Sequence, residues 1–581
     1  MISSERLKQL LQNSEIIKAV EEVKEKKVFD NSYLMVFQGD LVINENDGIA
    51  VYIAIPQNWE LDLIDIYLKN YDELGFLPHI DRKGKLCLFE TEGILIDHNL
   101  EGILLQSLLR AQEILKEGVS GENQIDFINE FELYWAELKE SRVAHLSVSS
   151  NGKSRIIKGA VKNIKRRKKE KFAEYAIRCK KGPIYIGEDI ESLKKWKTEK
   201  TSIVNVSYFV VNPEKIMLPP DIRKEISEDY LNRLLHLVPK KELETLMSQF
   251  GKERIIIFEI HQPLGKINII GMHINGGTLV NGSFNNICKL QPIILERADK
   301  NFLMKRIAVR ETEIYKQRIL VIGCGSIGGY VICELAKAGY EDLTIIDNEV
   351  LKEENIFRHV LGMEYVNRYK SEALSKYIQA NIPEVRIGTL EERIEEAIAE
   401  ENIELNDYDL IISTTGSHNI NRWINSWIMK YQIKVPVIYA WNEVYGIGNH
   451  IACIKYGNCG CYECFFARDE ETGEIYDRTS YCKRGQLITE NAGGCGKTFV
   501  PYGNMVSLKT ALLCLKLIRD IFEGKVHDNM IISLKGEDEY FIRHNLKTSG
   551  RYLGQKDTIK TVHGDKFVNR SCGVCNGYKG K

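Results

Sequence analysis

No charge of one sign dominates this chain. Its 79 lysines and arginines face 81 aspartates and glutamates, leaving a formal charge of −2. That balance excludes a whole-chain nucleic-acid coat or acidic tail, and no specific nucleic-acid partner is expected. Long apolar runs are missing too. The longest uncharged apolar stretch, Ile319–Cys333, is 15 residues and is broken by four glycines and a serine. A membrane span needs roughly 20 apolar residues. Near the N-terminus, Glu5, Arg6 and Lys8 interrupt any signal-peptide core. The expectation is a cytoplasmic chain without a membrane segment. Internal repeats and low-complexity tracts are absent as well, which leaves ordinary domains. What is present is core material, 44% apolar residues, and length for three or four domains at about 100–200 residues each. Also present are 14 cysteines. In a reducing compartment thiols serve metals or catalysis more often than disulfides.

Three zones differ in texture, and domains are expected over residues 1–141, 142–298 and 299–581. In the first, the runs Tyr33–Gln38, Gly48–Ile55 and Lys85–Phe89 predict strands. Leu100–Leu115 predicts a helix, and Ile125, Ile128, Trp135 and Leu138 mark another at helical spacing. The basic stretch Lys162–Lys171, which contains Lys165, Arg166, Arg167, Lys168 and Lys169, reads as a solvated loop or helix face, or alternatively as a phosphate-binding patch. The middle zone reads as mixed strands and helices with no catalytic signature. Arg254–Ile260 and Lys266–His273, split by Gln262-Pro263-Leu264-Gly265, predict a hairpin.

The third zone is the most legible. Ile319–Gly323 predicts a strand, followed by Gly323-Cys324-Gly325-Ser326-Ile327-Gly328-Gly329, a helix over Tyr330–Ala338 and a strand over Leu343–Asp347. This is a parallel β-α-β unit. Gly323, Gly325, Gly328 and the adjoining Gly329 allow a tight turn, and the helix start offers unpaired N–H groups to phosphate oxygens. Asp347 ends the second strand about 20 residues on, where an acid accepts hydrogen bonds from a ribose. A nucleotide site is expected. Nicotinamide-dependent oxidoreductases use the same unit, so dehydrogenase chemistry is a rival at this point. Further strands are predicted at Leu410–Ser413 and Val435–Ala440, with helices at Ser371–Ala380, Ile420–Lys430 and Met505–Ile521.

The residues after Asp347 resemble the ThiF/MoeB/ubiquitin-activating superfamily. Asp347-Asn348-Glu349 leads to Asn355-Ile356-Phe357-Arg358, and then to Lys370 in Tyr369-Lys370-Ser371-Glu372-Ala373. The resemblance implies that Asp347, Asn355, Arg358 and Lys370 surround ATP and its phosphates, and that a protein's C-terminal carboxylate is adenylated. Arg forks and a Lys point charge independently suit triphosphate oxygens and charge developing at phosphorus. One departure stands out. The family's magnesium-binding Asp falls here on Gly416 or Ser417 of Thr414-Thr415-Gly416-Ser417-His418-Asn419, while Asp407 and Asp409 are expected at the strand's opposite end. Mg2+ is implied without an assigned ligand.

Cys461-x-x-Cys464 and Cys572-x-x-Cys575 have the spacing of a tetrahedral thiolate zinc site, and the superfamily holds Zn2+ with two such pairs. Cys495 lies in Gly493-Gly494-Cys495-Gly496-Lys497 ahead of the predicted Met505–Ile521 helix. Glycine neighbours leave a thiol accessible and Lys497 favours its thiolate. With the continuation Thr498-Phe499-Val500-Pro501-Tyr502-Gly503, the position resembles the thioester cysteine of autophagy-type activating enzymes. The stretch Leu77-Pro78-His79-Ile80-Asp81-Arg82-Lys83-Gly84-Lys85-Leu86-Cys87-Leu88 resembles the active-site segment of ubiquitin-conjugating enzymes. Pro78, Asp81, Gly84, Cys87 and Leu88 match, and His79 stands where the family has an oxyanion-supporting Asn. The other eight cysteines read as small buried apolar residues.

Together these stretches resemble the single-chain fusions of a conjugating-type and an activating-type domain found in bacterial antiphage (CBASS) operons. The implied fold is α/β: a Rossmann-like ThiF/MoeB adenylation domain, an N-terminal α+β conjugating-like domain and a mixed α/β connector. The implied chemistry is adenylation of a carboxylate, thioester formation on Cys495, transfer to Cys87 and attack by an amine. The implied donor is the C-terminus of a cGAS-like nucleotidyltransferase, the acceptor is an amine-bearing protein, and the adenylation domain forms a homodimer. Arg306 and Arg310 are candidates for an Arg lent to the partner. The glycine loop is also compatible with a sulfur-carrier adenylyltransferase or a nucleotide-regulated scaffold.

Overall fold

The computed structural model describes residues 3–29, 31–44, 47–89, 96, 98–162, 184–194, 201–248, 253–305, 316–382, 384–491 and 498–576. It divides into two compact units, Met1–Asp299 and Lys300–Lys581.

The first unit opens with a four-stranded antiparallel sheet of Ile17–Glu22, Met35–Val42, Gly48–Ile55 and Asp65–Leu68 in sequence order. The helix Leu100–Ser120 lies on this sheet. Its apolar residues recur every three or four positions, burying Leu100, Ile103, Leu104, Leu108, Ala111, Ile114 and Leu115. Asn99 caps its start by accepting from Gly102 N–H, and Gly121 ends it at φ +80°. The expected strand Lys85–Phe89 does not form. Lys85 and Leu86 make only isolated bridges, to Tyr67 and Ile80. The reason is the turn before it, where Asp81 Oδ1 accepts from Lys83 and Lys85 N–H and Gly84 takes φ +78°. The expected helix over Ile125–Leu138 is two short helices, Gln124–Asn129 and Phe131–Ala136, broken at Glu130.

The middle of the unit holds the expected strands and helices, but its strands close on themselves. Seven strands form a barrel in the order Thr201–Val211, Glu253–His261, Ile267–Val280, Ser283–Arg297, Arg142–Ser147, Ile184–Gly187 and Arg155–Lys162. The predicted hairpin is the pair Glu253–His261 and Ile267–Val280, closed by Gln262 N–H donating to Lys266 O. Ile157, Ile186, Val206, Ile257, Ile269 and Ile293 belong to one buried cluster, and closure removes exposed edges.

The second unit is a doubly wound sheet of eight strands, in the order Arg386–Leu390, Asp342–Ile346, Arg318–Ile322, Leu410–Ser413, Val437–Asn442, Gly448–Ile454, Met530–Lys535 and Ile559–His563. The first five run parallel and the last three pair antiparallel. The uniformly apolar strands Arg318–Ile322 and Leu410–Ser413 are buried beyond their first residue or throughout, as parallel strands covered on both faces must be. Helices Gly328–Lys337, Lys370–Asn381, His418–Tyr431 and Asn504–Phe522 fall within two residues of their predicted bounds. Strand order reverses between Arg318–Ile322 and Leu410–Ser413. The crevice beyond the carboxyl ends of those two strands is where such sheets bind ligands.

Candidate active sites

The glycine loop sits at that reversal. Gly323 takes φ +94°, and a Cβ there would lie 2.9 Å from Thr415 N. A Cβ on Gly328 would meet Gly323 O at 1.9 Å and Thr414 Oγ1 at 2.5 Å. These two glycines let the loop close on Thr414, whose hydroxyl donates to Gly323 O at 2.7 Å. Gly329 admits Val360 and His359. Gly325 is different, because no atom beyond its own chain neighbours lies within 4 Å of where its Cβ would be. It lines a cavity of about 290 Å³ shared with Asp347, Asn348, Glu349, Lys370, Arg393 and Thr415. A glycine with space above it in a phosphate-type loop suits close approach of a ligand to backbone N–H groups.

Asp347 accepts from Cys324 N–H through Oδ2 at 2.6 Å and from Glu349 N–H through Oδ1 at 2.8 Å. It therefore shapes the loop as well as facing the cavity. Burial holds its carboxyl above the usual range, against the opposing pull of Lys370. Lys370 opens its helix with its side chain 7% exposed and pairs with Glu349. That ammonium pulls the Glu349 carboxyl down. Arg358 ends the turn Glu353–Arg358 with its guanidinium 5.7 Å over the Tyr502 ring. Asn355 Oδ1 accepts from Lys352 N–H at 3.1 Å, capping the same turn. His359 beside it is structural: its Nε2 bonds Cys324 O, and burial pushes its pKa down to about 4. Asp409 bridges to Arg318 N–H at 2.8 Å, at the strand ends remote from the glycine loop, as expected. The turn after Leu410–Ser413 supplies no carboxylate. The cavity's acids are Asp347, Glu349, Glu392 and Glu395.

The four zinc-candidate cysteines converge. All four sulfurs lie within 4.8 Å of one another. Cys461–Cys464, Cys461–Cys572 and Cys464–Cys575 are 3.9, 3.7 and 3.5 Å apart. Tetrahedral Zn–S bonds of about 2.3 Å require edges of about 3.8 Å. Three of the four are buried. This donor set fits zinc. Of the remaining cysteines, Cys324, Cys333, Cys453, Cys482 and Cys514 are buried as expected, whereas Cys288 is exposed. Cys495, Lys497, Cys179, Arg306, Arg310 and the Lys165–Lys169 stretch lie outside the described residues.

In the first unit Cys87 is exposed, and its N–H donates to His79 O at 2.8 Å. His79 stands at φ +61°, a conformation uncommon outside glycine. Its N–H donates to the Tyr134 hydroxyl at 2.6 Å, and its ring is clamped by Asp126 at Nε2 (3.0 Å) and Glu130 at Nδ1 (3.1 Å). Glu130 also accepts from Tyr134 at 2.7 Å. The hydrogen bond to Glu130 raises the imidazole pKa above its ordinary value. Both ring nitrogens thus face carboxylates rather than an oxyanion position. Asp126, Glu130 and Tyr134 were missed from sequence, although their spacing of four placed them on one helical face. His79, Glu130 and Tyr134, with Cys87, Leu86, Leu133 and Glu137, line a cavity of about 270 Å³.

Comparison with known proteins matches two stretches of the chain. Residues 21–144 match the model of prokaryotic E2 family B, and residues 300–547 match that of the ThiF family. The chain joins a prokaryotic E2 family B domain to a ThiF family domain. The ATP-dependent ubiquitin transferase-like protein Cap2 of Escherichia coli (strain TW11681) is 24% identical over 80% of this chain and 82% of its own length. Cap2 of Pseudomonas aeruginosa (strain BWHPSA011 / Pa011) is 29% identical over 41% of this chain and 42% of its own length. The adenylyltransferase and sulfurtransferase UBA4 of Debaryomyces hansenii (strain ATCC 36239) is 24% identical over 46% of this chain and 57% of its own. The chain thus spans less than two thirds of the length of the Pseudomonas and Debaryomyces relatives. No helix among the described residues of this E2–ThiF fusion is long and apolar enough to cross a membrane.

Proposed function

We propose that this fusion activates a protein's C-terminal carboxylate with ATP and conjugates it to an amine through two thioesters. ATP bound at the glycine loop by Gly323, Gly325, Gly328 and Gly329, with Asp347, Asn355, Arg358 and Lys370, is attacked at the α-phosphorus by the carboxylate. Acyl-adenylate forms and pyrophosphate leaves. The Cys495 thiolate displaces AMP, giving a thioester. Cys87 takes the acyl group by thiol exchange, and an amine, such as a lysine, attacks to leave an amide and the free thiol. A thioester keeps the acyl group activated yet transferable at each exchange. Backbone donors beside Cys87 support the oxyanion, and His79, held by Asp126 and Glu130, positions that backbone. Mg2+ bound with the nucleotide neutralises phosphate charge. Zinc held by Cys461, Cys464, Cys572 and Cys575 crosslinks the C-terminal segment to the sheet.

The observation that carries this reading is the pairing in one chain of an open, cation-flanked glycine cradle with an exposed Cys87 set against an acid-rimmed cleft. The donor proposed is the C-terminal tail of a cGAS-like nucleotidyltransferase, and the setting is cytoplasmic antiphage defence. A homodimer through the second unit is proposed as well. The turn Glu353–Arg358 leaves Phe357 96% exposed beside the helix Asn504–Phe522, which presents Met505 and Leu512. Non-reducing electrophoresis with ATP and a nucleotidyltransferase donor tests the relay. Two thiol-labile adducts are expected, one lost in Cys87→Ala and both in Cys495→Ala. Confirmed adenylation with neither adduct would overturn it. The likeness to the UBA4 protein supports a second reading, sulfur-carrier activation, and full amide conjugation by Cys87→Ala would favour it.

A further inference from the structure

The helix Phe131–Ala136 works on two sides. Leu133 and Tyr134, flanked by Glu130 and Glu137, line the cavity beside Cys87. The other side is fastened to the barrel. Glu132 accepts from Asn268 Nδ2 and from Ile269 N–H, both at 3.1 Å, and Trp135 Nε1 donates to Ile293 O at 3.1 Å. A second fastening comes from the segment between the strand Thr201–Val211 and the helix Glu228–Leu235. Gln262, in the barrel hairpin, bonds both the N–H of Met217 (3.1 Å) and its carbonyl (2.9 Å). Further along the same segment, Arg223 reaches back to the stretch ahead of Cys87. Its Nη1 donates to Tyr71 O at 3.2 Å and Leu74 O at 2.6 Å, while Nε and Nη2 fork onto Asp221 at 2.8 Å each. The guanidinium also lies 5.1 Å over the Tyr71 ring. The Tyr71 hydroxyl is buried and bonds nothing among the described residues, so the ring carries the contact. Gly84 rests against it: a Cβ there would lie 3.2 Å from Tyr71 Cβ. Gly84 belongs to the turn that delivers Cys87.

We propose that the barrel is the template against which Cys87 is placed, with Arg223 and Glu132 as its two positioning residues. The proposal rests on the reading of Cys87 as a thioester carrier. The stretch that holds Cys87 forms no strand, and Lys85 and Leu86 make only isolated bridges, so no ladder fixes it. Reacting atoms displaced by about 1 Å can cost on the order of a hundred-fold in rate. The two fastenings supply what the ladder does not. Through Tyr134, Glu132 and Trp135 the barrel reaches the His79 N–H, and the His79 carbonyl accepts from Cys87 N–H. Through Arg223 it reaches Tyr71 and the Gly84 turn. A planar guanidinium can serve a carboxylate, two carbonyls and a ring face at once, which a lysine ammonium cannot. Neither Arg223 nor Glu132 lines the cavity beside Cys87. Both therefore act on the reaction through backbone placement rather than through contact with the acceptor.

The test uses the full chain as wild type, Arg223→Ala, Arg223→Lys and Glu132→Gln. Hydrogen exchange followed by mass spectrometry reads residues 77–88, and discharge of the Cys87 thioester to free lysine reads the chemistry. Arg223→Ala should speed exchange at 77–88 roughly tenfold, the worth of a hydrogen bond to a charged group. The strands Met35–Val42 and Gly48–Ile55 should keep their wild-type protection. The limiting discharge rate should fall about tenfold, with the half-saturating lysine concentration and the thioester on Cys495 unchanged. Arg223→Lys keeps the charge without the fork, so it should fall between the wild type and the alanine variant in both readouts. Glu132→Gln keeps the shape and should move the same two readouts even if Arg223→Ala fails to fold. Wild-type exchange at 77–88 in Arg223→Lys and Glu132→Gln overturns the template. So does loosening spread evenly through residues 1–299, which is what a merely structural role would give. A raised half-saturating lysine concentration at an unchanged limiting rate also overturns it, by placing these residues at the acceptor. A wild type that forms no Cys87 thioester overturns the relay alone, and exchange at 77–88 still decides the template.

Discussion

At the scale of single residues, the glycine loop separates folding from binding. Gly328 has no room for a side chain, since a Cβ would sit 1.9 Å from Gly323 O. Gly328→Ala should therefore disturb the loop itself and lower the melting temperature. Gly325 has open space toward the cavity and no positive φ. Gly325→Ala should leave stability unchanged or raise it by about 0.4–1 kcal/mol through the unfolded state, while weakening Mg-ATP binding tenfold or more. Calorimetry beside a thermal melt decides it, and unchanged affinity would remove Gly325 from the nucleotide site. His79 allows a second prediction. Its pKa lies above the ordinary 6.5, and that of Glu130 lies below the ordinary 4.5 because hydrogen bonds from His79 and Tyr134 outweigh burial. The clamp's stabilisation is thus fully present only between these limits. It fades as pH rises through the raised imidazole pKa or falls through the depressed carboxyl pKa. His79→Asn tolerates the left-handed backbone and removes the charge. Near pH 6 it should cost about 1.5–3 kcal/mol, as for a hydrogen bond to a charged partner. The difference from wild type should shrink toward pH 9 in denaturant titrations, and a pH-independent difference would contradict the clamp.

At the scale of elements, the C-terminal segment shows what a metal site contributes. The final strand Ile559–His563 pairs on one side only, with Met530–Lys535, and four of its five residues are exposed. The short helix Gly564–Phe567 adds a single buried aromatic side chain, Phe567. A strand this poorly buried gains little from the hydrophobic effect, so a metal in the thiolate cluster is expected to supply much of the segment's anchoring, beside the packing of Phe567 and Val568. One zinc per chain is expected by elemental analysis. Chelation or Cys572→Ser should expose residues beyond about 555 to proteolysis and lower the melting temperature by several degrees. A metal-free preparation with an unchanged melt would contradict this. The C-x-x-C pairs were readable because metal geometry is local, and the joining of the two distant pairs into one site came from the family resemblance and not from spacing. The same contrast runs through the fold. Strands such as Gly48–Ile55 and Leu410–Ser413 and the helix starting at Leu100 declare themselves by local periodicity. The barrel does not, because its closure rests on parallel pairings between Arg142–Ser147 and Ser283–Arg297, far apart in sequence. Lys85–Phe89 reads as a strand by composition, yet the Asp81 turn overrides it. Asp126, Glu130 and Tyr134 went unread for a related reason. Helical charges are ordinarily solvated, and only the fold brings His79 to them.

At the scale of the whole molecule, the order of the domains is itself chemical information. Asp347, Lys370 and Cys87 each have bland readings alone, and their presence in one chain is what made a relay legible. The connecting barrel carried no such signal, since its buried isoleucines report only packing. The chain divides at Asp299–Lys300 into two compact units with separate cores, so each should fold when produced alone, with its own cooperative melt. Residues 300–581 by themselves should then form the Cys495 adduct with ATP and donor, and the separate residues 1–299 should accept it at Cys87. Tethering sets the difference between mixed and fused forms. A short covalent link gives an effective concentration on the order of millimolar. At micromolar concentrations the mixed units should transfer about a hundred- to a thousand-fold more slowly than the intact chain, and the deficit should close as concentration is raised. Equal rates at micromolar would mean that the units bind each other tightly without the link. A deficit that no concentration restores would mean that the link does more than keep the two units close.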